Sequence, residues 1–146
     1  MFKPWPKPTK KVKTKNKPKS ELSKLDAKLW EIFSEYTRRK YADENGLVRC
    51  FTCRGWFRWQ NTDCGHGISR RFLSTKFHEQ NNHPQCKKCN ILSSGEQYEY
   101  MIRVDEVYGH GTAEKLRIMS KQPSKFTRYD YEYKIQEYKE KLKQLK

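Results

Sequence analysis

The sequence reads CFTC at residues 50–53 and CKKC at residues 86–89, two Cys-x-x-Cys pairs separated by 32 residues. The two thiolates of one pair can reach the same ion from a tight turn, and two pairs complete a tetrahedral shell of sulfur ligands. Such a shell has no open position for water, so we expect a structural Zn²⁺ that stabilises the fold. Its predicted ligands are Cys50, Cys53, Cys86 and Cys89. The length of the gap predicts that an element the size of a hairpin lies between the pairs.

The alternative interpretation of these cysteines is a set of buried or redox-active thiols. The chain has no run of about 18 apolar residues and no apolar stretch typical of a signal peptide near its start. We therefore expect a cytoplasmic, nucleoid-associated protein without a membrane partner, in a reducing compartment where paired cysteines bind metal. The fifth cysteine, Cys64, is predicted to be a small core residue rather than a ligand.

The composition favours a small, strongly basic domain. The 146 residues include 32 Lys and Arg against 17 Asp and Glu, which gives a formal net charge of +15. This balance favours DNA or another polyphosphate as partner, while acidic proteins and anionic membranes remain alternatives. Only 34% of the residues are hydrophobic, so the core is expected to need support from a metal ion or a partner.

Residues 1–19 differ in composition from the rest of the chain. They contain eight Lys, four Pro and no acidic residue, so we predict a disordered basic arm that contacts phosphates without recognising base sequence. Phe2 and Trp5 could stack on exposed bases, and the alternative is an arm that serves only solubility. Residues 20–146 are predicted to form a single domain.

The apolar spacing predicts helices on both sides of the cysteine segment. Helical periodicity after the capping residue Ser20 predicts a helix over residues 21–43, and residues 47–59 predict a short strand followed by a turn at Arg54-Gly55. The C-terminal helices are expected from about residue 96, the first of them stopping at Gly109.

Two further helices are predicted near the C-terminus. One is expected to start at Thr112, and the last opens with a capping box from Thr127 to Asp130. The last helix carries an apolar seam at Tyr131, Ile135, Tyr138, Leu142 and Leu145. A seam of two heptads favours packing onto the parent domain, with a homodimer as the alternative.

Three segments between and after the cysteine pairs resemble a known family. They read GHGISRR at residues 65–71, KFHEQNNHPQCKKCN at 76–90 and LSSGEQYEY at 92–100. They are similar to the phage lambda NinG (Rap) recombination family and, more broadly, to zinc-containing HNH nucleases, from about Leu25 to the C-terminal helix. The resemblance implies an α+β fold in which an HNH-like ββα-metal finger, stapled by the four-cysteine zinc site, is flanked by N- and C-terminal helices.

The resemblance also implies a metal-dependent DNA endonuclease that acts on branched or recombination-intermediate DNA. Hydrolysis of a phosphodiester needs a base that deprotonates water and a cation that neutralises the leaving oxygen. By the HNH pattern the base is His66, a neutral imidazole near pH 7. Asn81 would orient the base, and Asn90 would help hold the catalytic Mg²⁺ or Mn²⁺.

One position departs from the HNH pattern. Many HNH sites have Asp or His immediately before the base as a metal ligand, and here that position is Gly65. Asp63, Glu79 or His83 would then have to complete the ion's shell, with His83 favoured as a site residue because it lies within the NinG pattern. The departure supports an alternative, a non-catalytic zinc module that binds DNA or RNA.

Four basic residues flank these candidates. We expect them to contact the phosphates of a DNA strand, although a solvated basic surface is the simpler interpretation. They are Arg70, Arg71, Lys87 and Lys88.

Overall fold

The computed structural model describes residues 18–145, so the predicted basic arm lies outside the described residues except for Pro18 and Lys19. The described chain is a mixture of helices and two small antiparallel sheets. In chain order the elements are α1 Glu21–Arg39, β1 Leu47–Arg49, β2 Trp56–Arg58, β3 Thr62–His66, α2 Leu73–Lys76, β4 Asn82–Cys86, α3 Gln97–Tyr108, α4 Thr112–Ser120 and α5 Arg128–Gln144. None of the helices in residues 18–145 combines the length and the apolarity needed to cross a lipid bilayer.

Helix α1 begins where the sequence predicts and ends earlier. The hydroxyl of Ser20 caps it by accepting a hydrogen bond of 3.2 Å from the N–H of Ser23. The predicted extension to residue 43 is wrong, because the carboxylate of Asp43 accepts hydrogen bonds from the N–H groups of Asn45 and Leu47 at 2.9 and 2.8 Å. This local turn competes with helical hydrogen bonding and directs the chain into β1.

The first cysteine pair lies in the hairpin between β1 and β2. The strands are antiparallel, with Arg49 opposite Trp56. The N–H of Cys50 donates to the carbonyl of Gly55 at 2.8 Å, and Arg54 has a φ of +64°, so the predicted turn at Arg54-Gly55 is confirmed.

The second sheet carries most of the predicted site residues. Strand β3 pairs with β4 from Thr62 opposite Cys86 to His66 opposite Asn82. The intervening chain includes α2 and a short 3₁₀ turn at Glu79–Asn81, and β4 leads into a π-helical turn at Lys88–Leu92.

The larger apolar core lies between α1, α5 and the second sheet. Phe33 of α1 packs edge-on against Phe77 and Tyr138, with ring centroids 5.6 and 4.9 Å apart. Cys64 is 7% exposed in this core, which confirms its prediction as a core residue. Three of the five seam residues of α5 are also buried there: Tyr131, Ile135 and Tyr138. The predicted packing of α5 onto its own domain is therefore confirmed for these three.

A second core joins α3 and α4 to the first cysteine hairpin through Phe51, Tyr100, Val104 and Leu116. The predicted end of α3 before Gly109, the start of α4 at Thr112 and the capping box of α5 are all confirmed. Because α3 and α5 pack on different cores, the second sheet lies between two helical layers.

Candidate functional site

The two cysteine pairs come together into one cluster. The sulfur atoms of Cys50, Cys53, Cys86 and Cys89 all lie within 4.8 Å of one another, and three of these residues are buried while Cys53 is exposed. A backbone hydrogen bond of 2.8 Å from the N–H of Phe51 to the carbonyl of Pro84 joins the two segments. The cluster could hold a structural metal ion such as Zn²⁺.

The surroundings of the thiols suit a cation. Burial opposes ionisation of Cys50, but hydrogen bonds from the Thr52 hydroxyl and from nearby N–H groups outweigh it and lower the pKa of Cys50 to about 6. Burial and the neighbouring Cys50 raise the pKa of Cys53 and Cys86. Four thiolates at this separation repel one another, so a bound cation is what would allow all of them to ionise together. Four sulfur donors are the set that tetrahedral Zn²⁺ prefers.

A polar cleft of about 330 Å³ lies beside this cluster, between α1, β3 and the π-helical turn. Five of the predicted site residues line it: Asp63, His66, Arg70, Lys87 and Asn90. The cleft therefore unites a histidine, a carboxylate, an amide and two cations from two separate segments of the chain, residues 63–70 and 87–90.

His66 occupies the end of β3 with its side chain half-buried in the cleft. Burial, and then the positive charge of Arg70, lower the pKa of its imidazole below the usual value of 6.5. Its Nδ1 is buried and has no hydrogen-bond partner among residues 18–145. His66 is thus neutral at pH 7 and can accept a proton.

Asp63 and Asn90 contact each other within the cleft. The Nδ2 of Asn90 donates to the Oδ2 of Asp63 at 2.9 Å, and the ammonium of Lys87 pairs with the other carboxylate oxygen. The amide oxygen of Asn90 has no hydrogen-bond donor among the described residues, so it can serve as a ligand alongside the carboxylate. Oxygen donors of these two kinds suit Mg²⁺ or Mn²⁺.

Asn81 is fully buried and holds the loop that follows His66. Its Oδ1 accepts from the N–H of Ile68 at 2.7 Å, and its Nδ2 lies 3.1 Å from the carbonyls of both Ile68 and Thr75. Its own carbonyl accepts from the N–H of Gly67 at 3.0 Å. These contacts fix the backbone beyond the end of β3, which is the arrangement that an orienting residue requires.

The other two candidates for completing the metal shell, Glu79 and His83, do not line the cleft. Glu79 accepts hydrogen bonds from Lys40 at 2.7 Å and Lys141 at 2.9 Å. Burial opposes its ionisation, but the two ammonium groups outweigh burial and lower the pKa of the carboxyl to about 2. The carboxylate therefore joins α1 to α5.

His83 is buried on the other side of β4. Its ring stacks on Phe51 with centroids 3.8 Å apart, and its nitrogens lie 3.0 and 2.7 Å from the hydroxyls of Tyr100 and Tyr108. Burial lowers its pKa to about 3, with a smaller contribution from Lys40. His83 is therefore a neutral imidazole held by two tyrosine hydroxyls, which is an environment typical of a structural residue.

The remaining basic candidates, Arg71 and Lys88, are exposed near the cleft without lining it. The sequence analysis missed three α1 residues that do line it: Trp30, Ser34 and Arg38. They recur every four residues, so they share one face of α1. Arg38 is also tied to β3, because its guanidinium donates to the carbonyl of Thr62 at 3.3 Å.

The side chain of Gln85 on β4 leaves no room for a side chain at position 65, which is a glycine. A Cβ at Gly65 would collide with the side-chain oxygen of Gln85, whose Nε2 is held by the Thr52 hydroxyl at 3.1 Å and the Gly95 carbonyl at 3.0 Å. The fully buried Gln85 thus occupies the space that a side chain before His66 would need.

These features define a small mixed α and β protein in which a four-cysteine cluster that could hold a metal ion lies beside a polar, partly basic cleft. Residues 6–146 match the family described as Bacteriophage Lambda NinG protein, and the chain belongs to this NinG family. Searches of curated proteins and of solved structures found no significant match.

Proposed function

We propose that this protein is a metal-dependent DNA endonuclease of the HNH type that acts on branched DNA during phage recombination. The observation that carries the proposal is the neutral His66 in one cleft with Asp63 and Asn90. Membership of the NinG family supports the phage and recombination context.

The order of elements around the cleft supports the HNH assignment. Two antiparallel strands, β3 and β4, are followed by a helical turn, and the proposed base and ion ligand lie on the first strand and on that turn. This is the order of a ββα-metal finger, with Asn81 in the loop between the strands. The cysteine cluster would stabilise the finger through its structural Zn²⁺.

In the proposed reaction, an imidazole nitrogen of His66 takes a proton from water as the water oxygen attacks phosphorus. The bond from phosphorus to the 3′ oxygen then breaks, the leaving oxygen takes a proton from solvent, and the products carry a 5′ phosphate and a 3′ hydroxyl. Asp63 and Asn90 would hold a Mg²⁺ or Mn²⁺, which supplies charge neutralisation at the leaving oxygen when bound. Lys87 pairs with Asp63 and would have to release this carboxylate to such an ion.

Basic residues around the cleft would hold the scissile strand. Arg38, Arg70 and Lys87 line it, and the exposed Arg71 and Lys88 lie near it. Contacts of this kind go to the phosphate backbone, which suits binding to a DNA shape rather than to a base sequence. A preference for branched DNA rests on the family alone.

A cleavage assay with a matched histidine control tests the proposal. Purified protein should cut branched DNA with Mg²⁺ or Mn²⁺, His66→Ala should abolish cutting while DNA binding survives, and His110→Ala should cut like wild type. His110 is fully exposed, so its loss removes an imidazole without touching the cleft. A wild-type protein that binds DNA but does not cut it with any divalent ion would reject the nuclease.

The second candidate function is a non-catalytic zinc module that binds DNA or RNA. Within residues 18–145, the four cysteines are the only group of three or more His, Cys, Asp or Glu residues arranged to hold a metal ion. Gly65 supplies no ligand before His66, and Gln85 leaves no room for one. If this function is correct, Asp63→Asn should bind nucleic acid as tightly as wild type, both with and without Mg²⁺.

A further inference from the structure

A second cavity of about 300 Å³ lies outside the His66 cleft and shares none of its lining residues. It is bounded by the β1–β2 hairpin, the chain just after α1, strand β4 and helix α3. Of the site residues predicted from the sequence, His83 lines this cavity, and the proposed cleavage reaction does not use it.

Three arginines line this cavity: Arg49, Arg54 and Arg103. No Asp or Glu lines it, and neither Arg49 nor Arg54 forms an ion pair within the part of the chain that the structure describes. Three guanidiniums that line one cavity, of which only Arg103 pairs with a carboxylate, favour binding of an anion, and their fork geometry matches phosphate.

Details of two of these arginines suggest that their side chains are needed in the cavity. Arg54 has a φ of +64°, a conformation that glycine adopts more easily, so the position carries a guanidinium despite the backbone strain. Arg103 pairs with Glu106 at 2.9 Å through Nη1, but its Nε is buried without a hydrogen-bond partner among the described residues. This donor is closed to solvent, so an incoming phosphate oxygen would satisfy it only after the Arg103 side chain moves.

Aromatic rings line the same cavity beside the arginines. Trp56 is 55% exposed and Tyr41 is 42% exposed, although large aromatic side chains are usually more buried. The guanidinium of Arg49 stacks 4.6 Å from the ring of its cross-strand partner Trp56, so one hairpin presents a cation and an aromatic surface together. Aromatic surfaces next to phosphate-binding cations are what single-stranded nucleic acids require, because unpaired bases stack on the rings.

We propose that this cavity binds one nucleotide of an unpaired DNA strand, with its base on Trp56 or Tyr41 and its phosphate on Arg49, Arg54 and Arg103. The inference rests on the proposed function only in taking DNA as the partner. A recombination intermediate with a displaced strand has unpaired nucleotides, whereas paired bases are stacked inside a duplex where the rings cannot reach them. The cavity would therefore distinguish such a displaced strand from plain duplex.

Fluorescence anisotropy with the full chain tests the site. The probes are a fluorescein-labelled dT oligonucleotide and a labelled duplex of the same length, without divalent ions. Trp56→Ala and Arg54→Gly should each weaken binding of the single strand about tenfold while duplex binding changes less than twofold. Trp56→Phe should retain most of the affinity. Arg54→Gly relieves the strained φ, so its effect cannot be ascribed to unfolding.

Matched controls come from exposed residues of the same types on other elements. Tyr133→Ala removes an aromatic ring that is 62% exposed on α5, and Arg117→Gln removes a guanidinium on α4. Both should bind the single strand like wild type. Equal affinity of wild type and Trp56→Ala for the dT strand would overturn the inference, as would an equal loss with Tyr133→Ala.

Two further readouts separate this site from the proposed nuclease. His66→Ala should keep wild-type affinity for the dT strand even though it cannot cut, so a failed cleavage assay leaves this site standing. Photocrosslinking with 5-iodouracil in the strand should label Trp56 or Tyr41. Labels confined to Trp5 in the N-terminal arm would contradict the inference.

Discussion

Arg70 lies four residues beyond His66, lines the same cleft, and adds its positive charge to the effect of burial in lowering the pKa of that imidazole. The residue expected to hold the scissile strand thus also keeps the proposed base unprotonated. Because a general base works only in its neutral form, burial of His66 and the charge of Arg70 together would set the acidic limit of the proposed cleavage.

We expect Arg70→Gln to move the acidic limb of the pH–rate profile to higher pH. Removing a nearby cation makes protonation of His66 easier, so the pKa of its imidazole rises. Cleavage rates at saturating DNA and an NMR titration of the His66 ring should report the same shift. Arg71→Gln is the control, and a limb that stays in place or moves to lower pH in Arg70→Gln would contradict the prediction.

Metal analysis of the purified protein should find one tightly bound zinc per chain. Cys86→Ser should abolish binding and unfold the domain, because the free energy of zinc binding is part of the folding free energy. Cys64→Ala is the matched control, since it removes a buried thiol outside the cluster and should keep the zinc. A folded, zinc-free wild type would refute the structural role of the metal.

Gly65→Ala should lower the free energy of unfolding by about 1–3 kcal/mol, because its Cβ meets the side chain of Gln85. In the Gln85→Ala background the same substitution should cost much less, since the obstructing side chain is gone. Urea denaturation of the four proteins measures the coupling as a double-mutant cycle. Additive effects would show that the two positions are independent.

Ile135→Ala in α5 should lower the free energy of unfolding by about 2–5 kcal/mol, because it leaves a cavity in the core between α1 and α5. Tyr133→Ala on the exposed face of α5 should change it by less than about 0.5 kcal/mol. Thermal or urea denaturation distinguishes the two. Similar losses in both variants would mean that the exposed face is also covered in solution.

The same Tyr133→Ala protein serves to test the homodimer. Deleting α5 from Tyr129 onwards would remove the buried Tyr131, Ile135 and Tyr138 and disrupt the core, whereas Tyr133 stacks only on the exposed Tyr129. Light scattering should give wild type and Tyr133→Ala the same mass if α5 serves only its own domain. A dimeric wild type that this substitution makes monomeric would establish the alternative.

Sequence spacing predicted the parts of the molecule that depend on local chemistry. The cysteine cluster, the turn at Arg54-Gly55 and the capping box at Thr127 follow from residue types a few positions apart. The end of α1 was predicted too late in the chain. The Asp43 carboxylate accepts hydrogen bonds from the N–H groups of Asn45 and Leu47, and this turn replaces the helix that the apolar spacing predicts.

The candidate site was predictable only in part, because residues that are close in the sequence lie on different sides of the second sheet. Asp63, His66 and Asn90 share the cleft, whereas His83 faces Tyr100 and Tyr108 on the other side of β4. The carboxylate of Glu79 pairs with Lys40 and Lys141, which lie 39 and 62 positions away in the sequence. No local sequence pattern reveals such a pairing. Proximity to a motif does not say which side of a strand a residue faces.

The contact between Gly65 and Gln85 has a consequence for how this sequence can change. A carboxylate at position 65, where many HNH sites carry a ligand, would alone enter space that the Gln85 side chain fills. A smaller residue at position 85 would first forfeit the hydrogen bonds to Thr52 and Gly95. Either single step passes through a less stable protein, so a side chain could be gained at position 65 without that loss only if both positions changed together.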